Sequence, residues 1–314
     1  MPAGFERHRV LCLSVLVLGI VISGCGGPSR ILQPAVVPDL PERCILNQVP
    51  FYPQAALQCG PAALSMVLAW SGVDVPPDRL VSEVFTPSLK GSLQSAMIGA
   101  ARRHGRIAYP LAGPESLIRE IAAGHPVIVL QNLGLSWYPV WHYAVVIGFD
   151  PVKKKVILHS GETPRKSLSC GIFEKTWARS DYWGILVLPP TIIPADAVEN
   201  RYLSAVNGIE SLGHWETAAL AYRNALVQWP DSFPARMGIG ICKYRLGDFK
   251  TAEDVLRDAI RISPDQGAAY NNLAQTLMAQ GRKREALDAV RKALELGGPL
   301  KAHFKSTFEE IQNR

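Results

Sequence analysis

The chain has 314 residues, enough for about two domains at roughly 100–200 residues each. Its 48% hydrophobic and 8% aromatic content is that of a globular protein with a packed core. The net charge of +6 is mild, and its Lys and Arg are scattered; the one tight run, Lys153-Lys154-Lys155, lies between two strand-like segments as a solvated turn, so nucleic-acid binding is not expected.

At the N-terminus, Arg7, His8 and Arg9 precede a nearly unbroken apolar stretch, Val10 to Ile22, too short to span a bilayer comfortably. It ends in Ile22-Ser23-Gly24-Cys25. An aliphatic residue, two small residues and a cysteine resemble the lipobox of bacterial lipoproteins. The resemblance implies a signal peptide over residues 1–24, cleavage before Cys25 and lipid on its sulfur. Gly26 beside that cysteine implies the outer membrane, facing the periplasm, in a cell with two membranes. A plain secretory signal with an incidental cysteine is the alternative. Residues 25–45, rich in proline and small residues, then form a tether. No other run is apolar and long enough to cross a bilayer.

Export permits disulfides. With Cys12 removed and Cys25 lipidated, Cys44, Cys59, Cys170 and Cys242 remain. Cys44 and Cys170 flank the first domain's expected core, and their pairing is an expectation to be checked. No C-x-x-C pair and no histidines at i, i+4 occur, so neither a structural zinc nor any other cofactor is expected.

Residues 46–190 form the first domain. The pattern predicts helices over Gly60–Trp70 (apolar nearly all round, hence buried), Ser92–Arg103 and Pro114–Ala123, each followed by a glycine stop at Gly72, Gly105 and Gly124. Strands follow at Val127–Gln131, Tyr143–Phe149, Lys155–Leu158 and Gly184–Leu188, the middle two joined as a hairpin. Helices first and antiparallel strands second describe an α+β domain.

Three prolines within Pro189–Pro194 stop helix and central strand alike, so residues 191–198 read as a linker. Beyond it the sequence repeats. Gly213, Gly247 and Gly281 lie 34 apart, as do Ala218, Ala252 and Ala286, and Ala225, Ala259 and Ala293; Pro230 and Pro264 keep the register. This period resembles the tetratricopeptide repeat. Each unit is a helix pair, with a glycine turn at positive φ and alanines where the helices approach. Large residues (Tyr202, Trp215, Tyr222, Phe249, Leu256, Tyr270, Leu273, Val290) are expected between stacked units. In the second unit Arg236 stands where a large apolar residue is usual. Three units over 199–298 and a capping helix over 299–314 make an all-α second domain.

The chemistry centres on Cys59. Gly60 and Pro61 open the buried helix, and proline suits a first turn. The sulfur therefore meets unpaired backbone N–H groups and the positive end of the helix dipole, which favour a thiolate. The natural base is His142, heading the core-like strand His142-Tyr143-Ala144-Val145-Val146; a capping or core histidine is the competing reading. Gln54 and Gln58 are available as side-chain oxyanion donors beside a helix-start N–H. Trp137, Tyr138 and Trp141 crowd the loop before His142, either lining a peptide-binding rim or packing beneath the loop.

Gln54 … Cys59-Gly60-Pro61-Ala62-Ala63-Leu64, the Gly124-His125-Pro126-Val127-Ile128-Val129 segment and His142-Tyr143-Ala144-Val145-Val146 together resemble the bacteriocin-processing, double-glycine-leader cysteine peptidases. The resemblance covers Val49 to Pro190. It implies a papain-like fold with Cys59 as nucleophile, His142 as base and an upstream glutamine as oxyanion donor. Gln54 lies five residues before the cysteine where six is usual in that family; it is preferred to Gln58, which would have to fold back. The family's third residue, an Asp or Asn sixteen to eighteen positions past the histidine, falls in Leu158-His159-Ser160-Gly161. Ser160 could accept from the imidazole, but a neutral hydroxyl stabilises imidazolium poorly; Asp150 lies at the far end of its hairpin. The expected function is an envelope-anchored cysteine peptidase acting on a peptide or protein, with a repeat array that docks a protein partner. The alternative is a catalytically degenerate, peptide-binding scaffold.

Overall fold

The computed structural model describes Ile31, residues 42–54 and residues 57–313. The signal-peptide segment, Cys25 and most of the tether lie outside the described residues. Among the described residues no helix is long and apolar enough to cross a membrane.

In chain order the first domain contains β1 (Cys44–Ile45), α1 (Cys59–Trp70), α2 (Pro77–Val84), β2 (Phe85–Thr86), β3 (Gly91–Ser92), α3 (Gln94–Arg103), β4 (Ile107–Pro110) and α4 (Pro114–Ala122). The strand-rich half follows: β5 (Val127–Asn132), β6 (Trp141–Asp150), β7 (Lys155–Ser160), β8 (Thr163–Ser169), α5 (Cys170–Ala178) and β9 (Gly184–Leu188). Seven strands make one antiparallel sheet in the order β4-β9-β5-β6-β7-β8, with β1 added against β6; β2 and β3 form a separate hairpin. The domain is α+β, as expected.

Helix α1 has no polar face because it needs none. Every residue from Gly60 to Leu68 is buried, with α2 and α3 on one side and β5 and β6 on the other. Strands β5 and β9 are buried along their whole length. On the long β6 the register against β7 slips between Val146 and Gly148, and β1 pairs with Gly148 and Phe149, beyond Val146 where the pairing with β5 ends. Gly148 is required there: a Cβ would strike the Cys44 carbonyl oxygen and the Ile45 backbone. Strand β8 and helix α5 were not anticipated. The segment Thr163–Ser169 is exposed at nearly every residue, because it is the outer edge strand and carries the polar and charged residues that keep such an edge unpaired.

The expected Cys44–Cys170 disulfide is corrected: both thiols are free. Strand order gives the reason. Cys44 pairs with Phe149 on one edge of β6, whereas Cys170 follows Ser169, which pairs with Lys155 of β7 on the other edge. Three strand spacings, about 14 Å, separate them, twice what a disulfide spans. Instead Cys44 Sγ donates to the Ile121 carbonyl at 3.3 Å, and Cys170 is buried at the start of α5.

The segment expected as a linker is strapped down. The carboxylate of Glu120, 1% exposed, accepts from the backbone N–H of Ala195 (3.1 Å) and Asp196 (3.0 Å) and contacts His125 Nδ1 at 2.7 Å. Asp196 in turn meets Arg119 at 2.9 Å and the Ser116 hydroxyl. A buried carboxylate is tolerated because its oxygens are satisfied. The chain then enters the helical domain: α6 (Glu199–Glu210), α7 (Trp215–Gln228), α8 (Phe233–Arg245), α9 (Phe249–Ile262), α10 (Gly267–Ala279), α11 (Lys283–Leu296) and α12 (Lys301–Asn313). Helix α6 packs on β4 and α3, and the buried apolar cluster runs unbroken from the sheet into α6, α7 and α8.

The repeat register has its expected physical content. Gly213, Gly247 and Gly281 adopt φ of +85°, +77° and +77° at the intra-repeat turns, a region open to glycine at no steric cost. The six alanines of the repeat are all 0% exposed. Tyr202, Tyr222, Leu256, Leu273 and Val290 are buried between units. Arg236 stays half-buried at the edge and donates to the Ser232 carbonyl. Helix α12 closes the stack with Phe304 and Ile311.

Candidate active site

Cys59 is the first residue of α1 and Gln58 its N-cap, with no side-chain cap. The turn before it is tight: Leu57 adopts φ +65°, an uncommon conformation for a branched side chain. Gly60 is glycine for a packing reason, since a Cβ there would strike the Ser92 side chain of β3. Ser92 also accepts, through its carbonyl, the hydroxyl of Tyr143 at 3.1 Å. The β2–β3 hairpin is thereby held over the start of α1.

His142 is the second residue of β6, opposite Gln131 of β5. Val145 pairs with His159, so by strand alternation His142 and Ser160 both face the side opposite that pair. Their side chains meet: His142 Nε2 lies 2.8 Å from Ser160 Oγ. Asp150 is eight residues further along β6, about 26 Å at the strand rise, and caps the Lys153 N–H at the hairpin turn.

Gln54 is 6% exposed and knits the site together. Its Oε1 accepts from Gly161 N at 2.8 Å, its own N–H donates to the Gly161 carbonyl at 3.1 Å, and its Nε2 donates to the Tyr143 carbonyl at 3.2 Å. One Nε2 hydrogen bond is thus structural. The side chain therefore ties the segment before Cys59 to the histidine strand and to the turn after Ser160. Gln54, Cys59 and His142 line one cleft of about 1020 Å³, whose lining does not include Gln58. The other wall comes from Leu89 to Gln94, and Arg179, Ser180 and Asp181 enter from the α5–β9 loop. Sequence reasoning missed these residues. They come from a two-residue-strand hairpin and an exposed turn, neither of which has a periodic signal.

The electrostatics differ from expectation. Burial pushes the Cys59 thiol above its ordinary pKa, and the backbone N–H groups of Tyr143, Gly60 and Cys59 offset this only in part. The helix-start donors act as anticipated, but desolvation of a largely enclosed sulfur is larger. Burial, and secondarily the Lys166 ammonium, lower His142 to about 4. At neutral pH the free protein thus holds a thiol and a neutral imidazole in one cleft rather than a preformed ion pair. The Tyr143 N–H that favours the thiolate belongs to the residue after His142, so sulfur and imidazole are placed by the same end of β6.

Comparison with known proteins agrees with this architecture. Residues 46–184 match the Peptidase_C39 like family, and residues 210–267 and 244–298 match tetratricopeptide repeat models. Human tetratricopeptide repeat protein 7A is 36% identical over 87 residues, 28% of this chain and 10% of that protein; human tetratricopeptide repeat protein 7B is 30% identical over the same length. The chain thus spans about a tenth of these curated relatives. Among solved structures, a protein described as C39-like peptidase from Bacillus anthracis is 19% identical with a TM-score of 0.40, covering 47% of this chain and 98% of that one. The Yersinia enterocolitica type III secretion translocator chaperone SycD is 19% identical with a TM-score of 0.35, covering 37% of this chain and 92% of that one. The chain carries a Peptidase_C39-like domain followed by tetratricopeptide repeats.

Proposed function

We propose that this protein is a cysteine peptidase, held at the cell envelope by lipid on Cys25, whose repeat array docks a protein partner. The observation that carries the catalytic part is the convergence of Cys59, His142 and Gln54 on one cleft, with Ser160 bonded to the imidazole. With Ser160 Oγ accepting from Nε2–H, the imidazole lone pair sits on Nδ1. That nitrogen takes the thiol proton as Cys59 Sγ attacks the peptide carbonyl. The tetrahedral oxyanion is stabilised by the Cys59 backbone N–H and the second Nε2 hydrogen of Gln54. His142 then gives the proton to the leaving amine, and water, deprotonated in the same way, cleaves the thioester. Because the resting pair is neutral, His142 works as a general base during attack.

A second reading is supported by the raised thiol and the neutral Ser160: a degenerate domain that binds peptides without cutting them. Incubating the full chain with a peptide library and reading products by mass spectrometry separates the two. New termini with wild-type protein, absent with Cys59→Ala and His142→Ala, support catalysis; identical peptide profiles with all three support the binding domain. The envelope placement rests on the lipobox resemblance. Metabolic labelling with an alkyne fatty acid is expected to mark the wild-type chain and not Cys25→Ser. Labelling that persists in Cys25→Ser contradicts it.

A further inference from the structure

The surface around the cleft is unusually apolar. Among the described residues, 16 large hydrophobic side chains are exposed, and nine of these lie at position 57, in segment 89–93 or in segment 133–141. They form two facing walls. One presents Leu57, Leu89 and Leu93, the other Tyr138, Val140 and Trp141, and all six line the cleft that holds Cys59 and His142. Scattered single apolar residues are ordinary on a protein surface; six exposed ones lining a single cleft mark a binding surface.

The aromatic wall is not a loose loop. Asn132 Oδ1 accepts from Gly134 N (2.9 Å) and Val140 N (3.0 Å). Leu135 and Tyr138 exchange backbone hydrogen bonds at 3.1 and 3.2 Å. The Arg179 guanidinium donates to the carbonyls of Asn132 (3.1 Å) and Gly134 (2.7 Å). The flap is therefore built, yet Tyr138 remains 67% and Trp141 52% exposed. They do not pack beneath the loop, so that alternative reading of these aromatics does not hold. Among charged residues, Lys90, Arg179 and Asp181 line the cleft and Lys166 acts on His142, a modest positive excess beside six apolar side chains.

We infer that the cleft selects an extended polypeptide segment bearing bulky apolar side chains on both sides of the reacting bond, held between these two walls. Selection is by burial of apolar surface and not by charge. Such segments lie inside folded proteins, so the substrate class is an unfolded polypeptide. The cutting of that segment rests on the peptidase reading; its binding does not.

The test uses the full chain with Cys59→Ala and two fluorescein-labelled peptides of equal length, one with Phe, Leu and Val at alternate positions, the other with Ser and Asn in their place. Fluorescence anisotropy is expected to show the apolar peptide binding at least about tenfold tighter, with little change on raising salt. Leu89→Ser, Tyr138→Ser and Trp141→Ser, all at exposed positions, are each expected to weaken it several-fold. Equal affinities, a salt-sensitive preference for a charged peptide, no measurable binding, or indifference to all three substitutions would overturn the inference. Wild-type protein with the same peptides then separates the two claims. Tight binding of the apolar peptide without cleavage supports the inference and contradicts the peptidase reading. Cleavage with no apolar preference supports the peptidase reading and overturns the inference.

Discussion

Replacing Ser160 by Asp tests the electrostatic account of the site. In the wild type, burial and Lys166 lower the His142 imidazole to about 4, and its Nε2 partner is a neutral hydroxyl at 2.8 Å. A carboxylate in that place would make a charge-assisted bond to imidazolium, roughly 1.5–3 kcal/mol. At 1.36 kcal/mol per pKa unit this is a rise of about one to two units. Ser160→Asn keeps a hydrogen bond without the charge and is expected to move the value far less. The assay is an NMR pH titration of the histidine ring carbons, with His142→Gln assigning the resonance. The same shift appears in stability. A buried imidazole that is protonated only near pH 4 leaves the unfolded chain, near 6.5, holding more protons between those values. Stability is therefore intact above about 6.5 and falls as pH drops toward 4, by up to about 3 kcal/mol from this residue. In Ser160→Asp that acid-side loss shrinks. A His142 resonance that titrates at the same pH in wild type and Ser160→Asp, or lower in the variant, would refute the reasoning.

Three other outcomes follow from the structure. Iodoacetamide alkylation of Cys59, mapped by mass spectrometry against pH, is expected to have a midpoint above that of a free cysteine, because burial is the larger effect on this thiol; a midpoint below it would restore the ion-pair picture. Glu253 is 4% exposed; burial opposes its charge, but hydrogen bonds from Arg282, Gln280 and Arg257 outweigh this and lower it to about 2. Glu253→Gln should therefore cost the repeat stack about 1–3 kcal/mol, discounted for its partly exposed arginine partners, by urea unfolding. Gly238→Ala should destabilise by a further route, since its Cβ would strike the buried Tyr222 ring. Overpacking of about 1–3 kcal/mol exceeds the helix-propensity gain of about 1 kcal/mol, and a higher melting temperature would contradict this.

Much of the molecule is readable where physics repeats itself. The glycine turns and buried alanines recur at a fixed period, because each unit solves the same packing problem as its neighbours. Helix α1 is legible from its uninterrupted apolar run, and Cys59 from its place at the start of that helix. Strand β8 was invisible because an exposed edge strand has no buried face to alternate. The wall carrying Leu89 and Leu93 was invisible because only the β2–β3 hairpin, docked through Tyr143 and Ser92, brings it across from Cys59. The Cys44–Cys170 expectation failed because proximity to a common core says nothing about which edge of the sheet a residue occupies. The expected thiolate is opposed by burial: the favourable donors are present, and desolvation is larger.

The most direct measurement is covalent capture. Full-length protein is mixed with an apolar peptide carrying an activated ester, quenched in acid, and its intact mass and tryptic map are read. The account predicts one acyl adduct, on Cys59, that decays on standing at neutral pH, is lost in Cys59→Ala and forms far more slowly in His142→Ala. An adduct at another residue, or peptide cleavage that survives in Cys59→Ala, would contradict it.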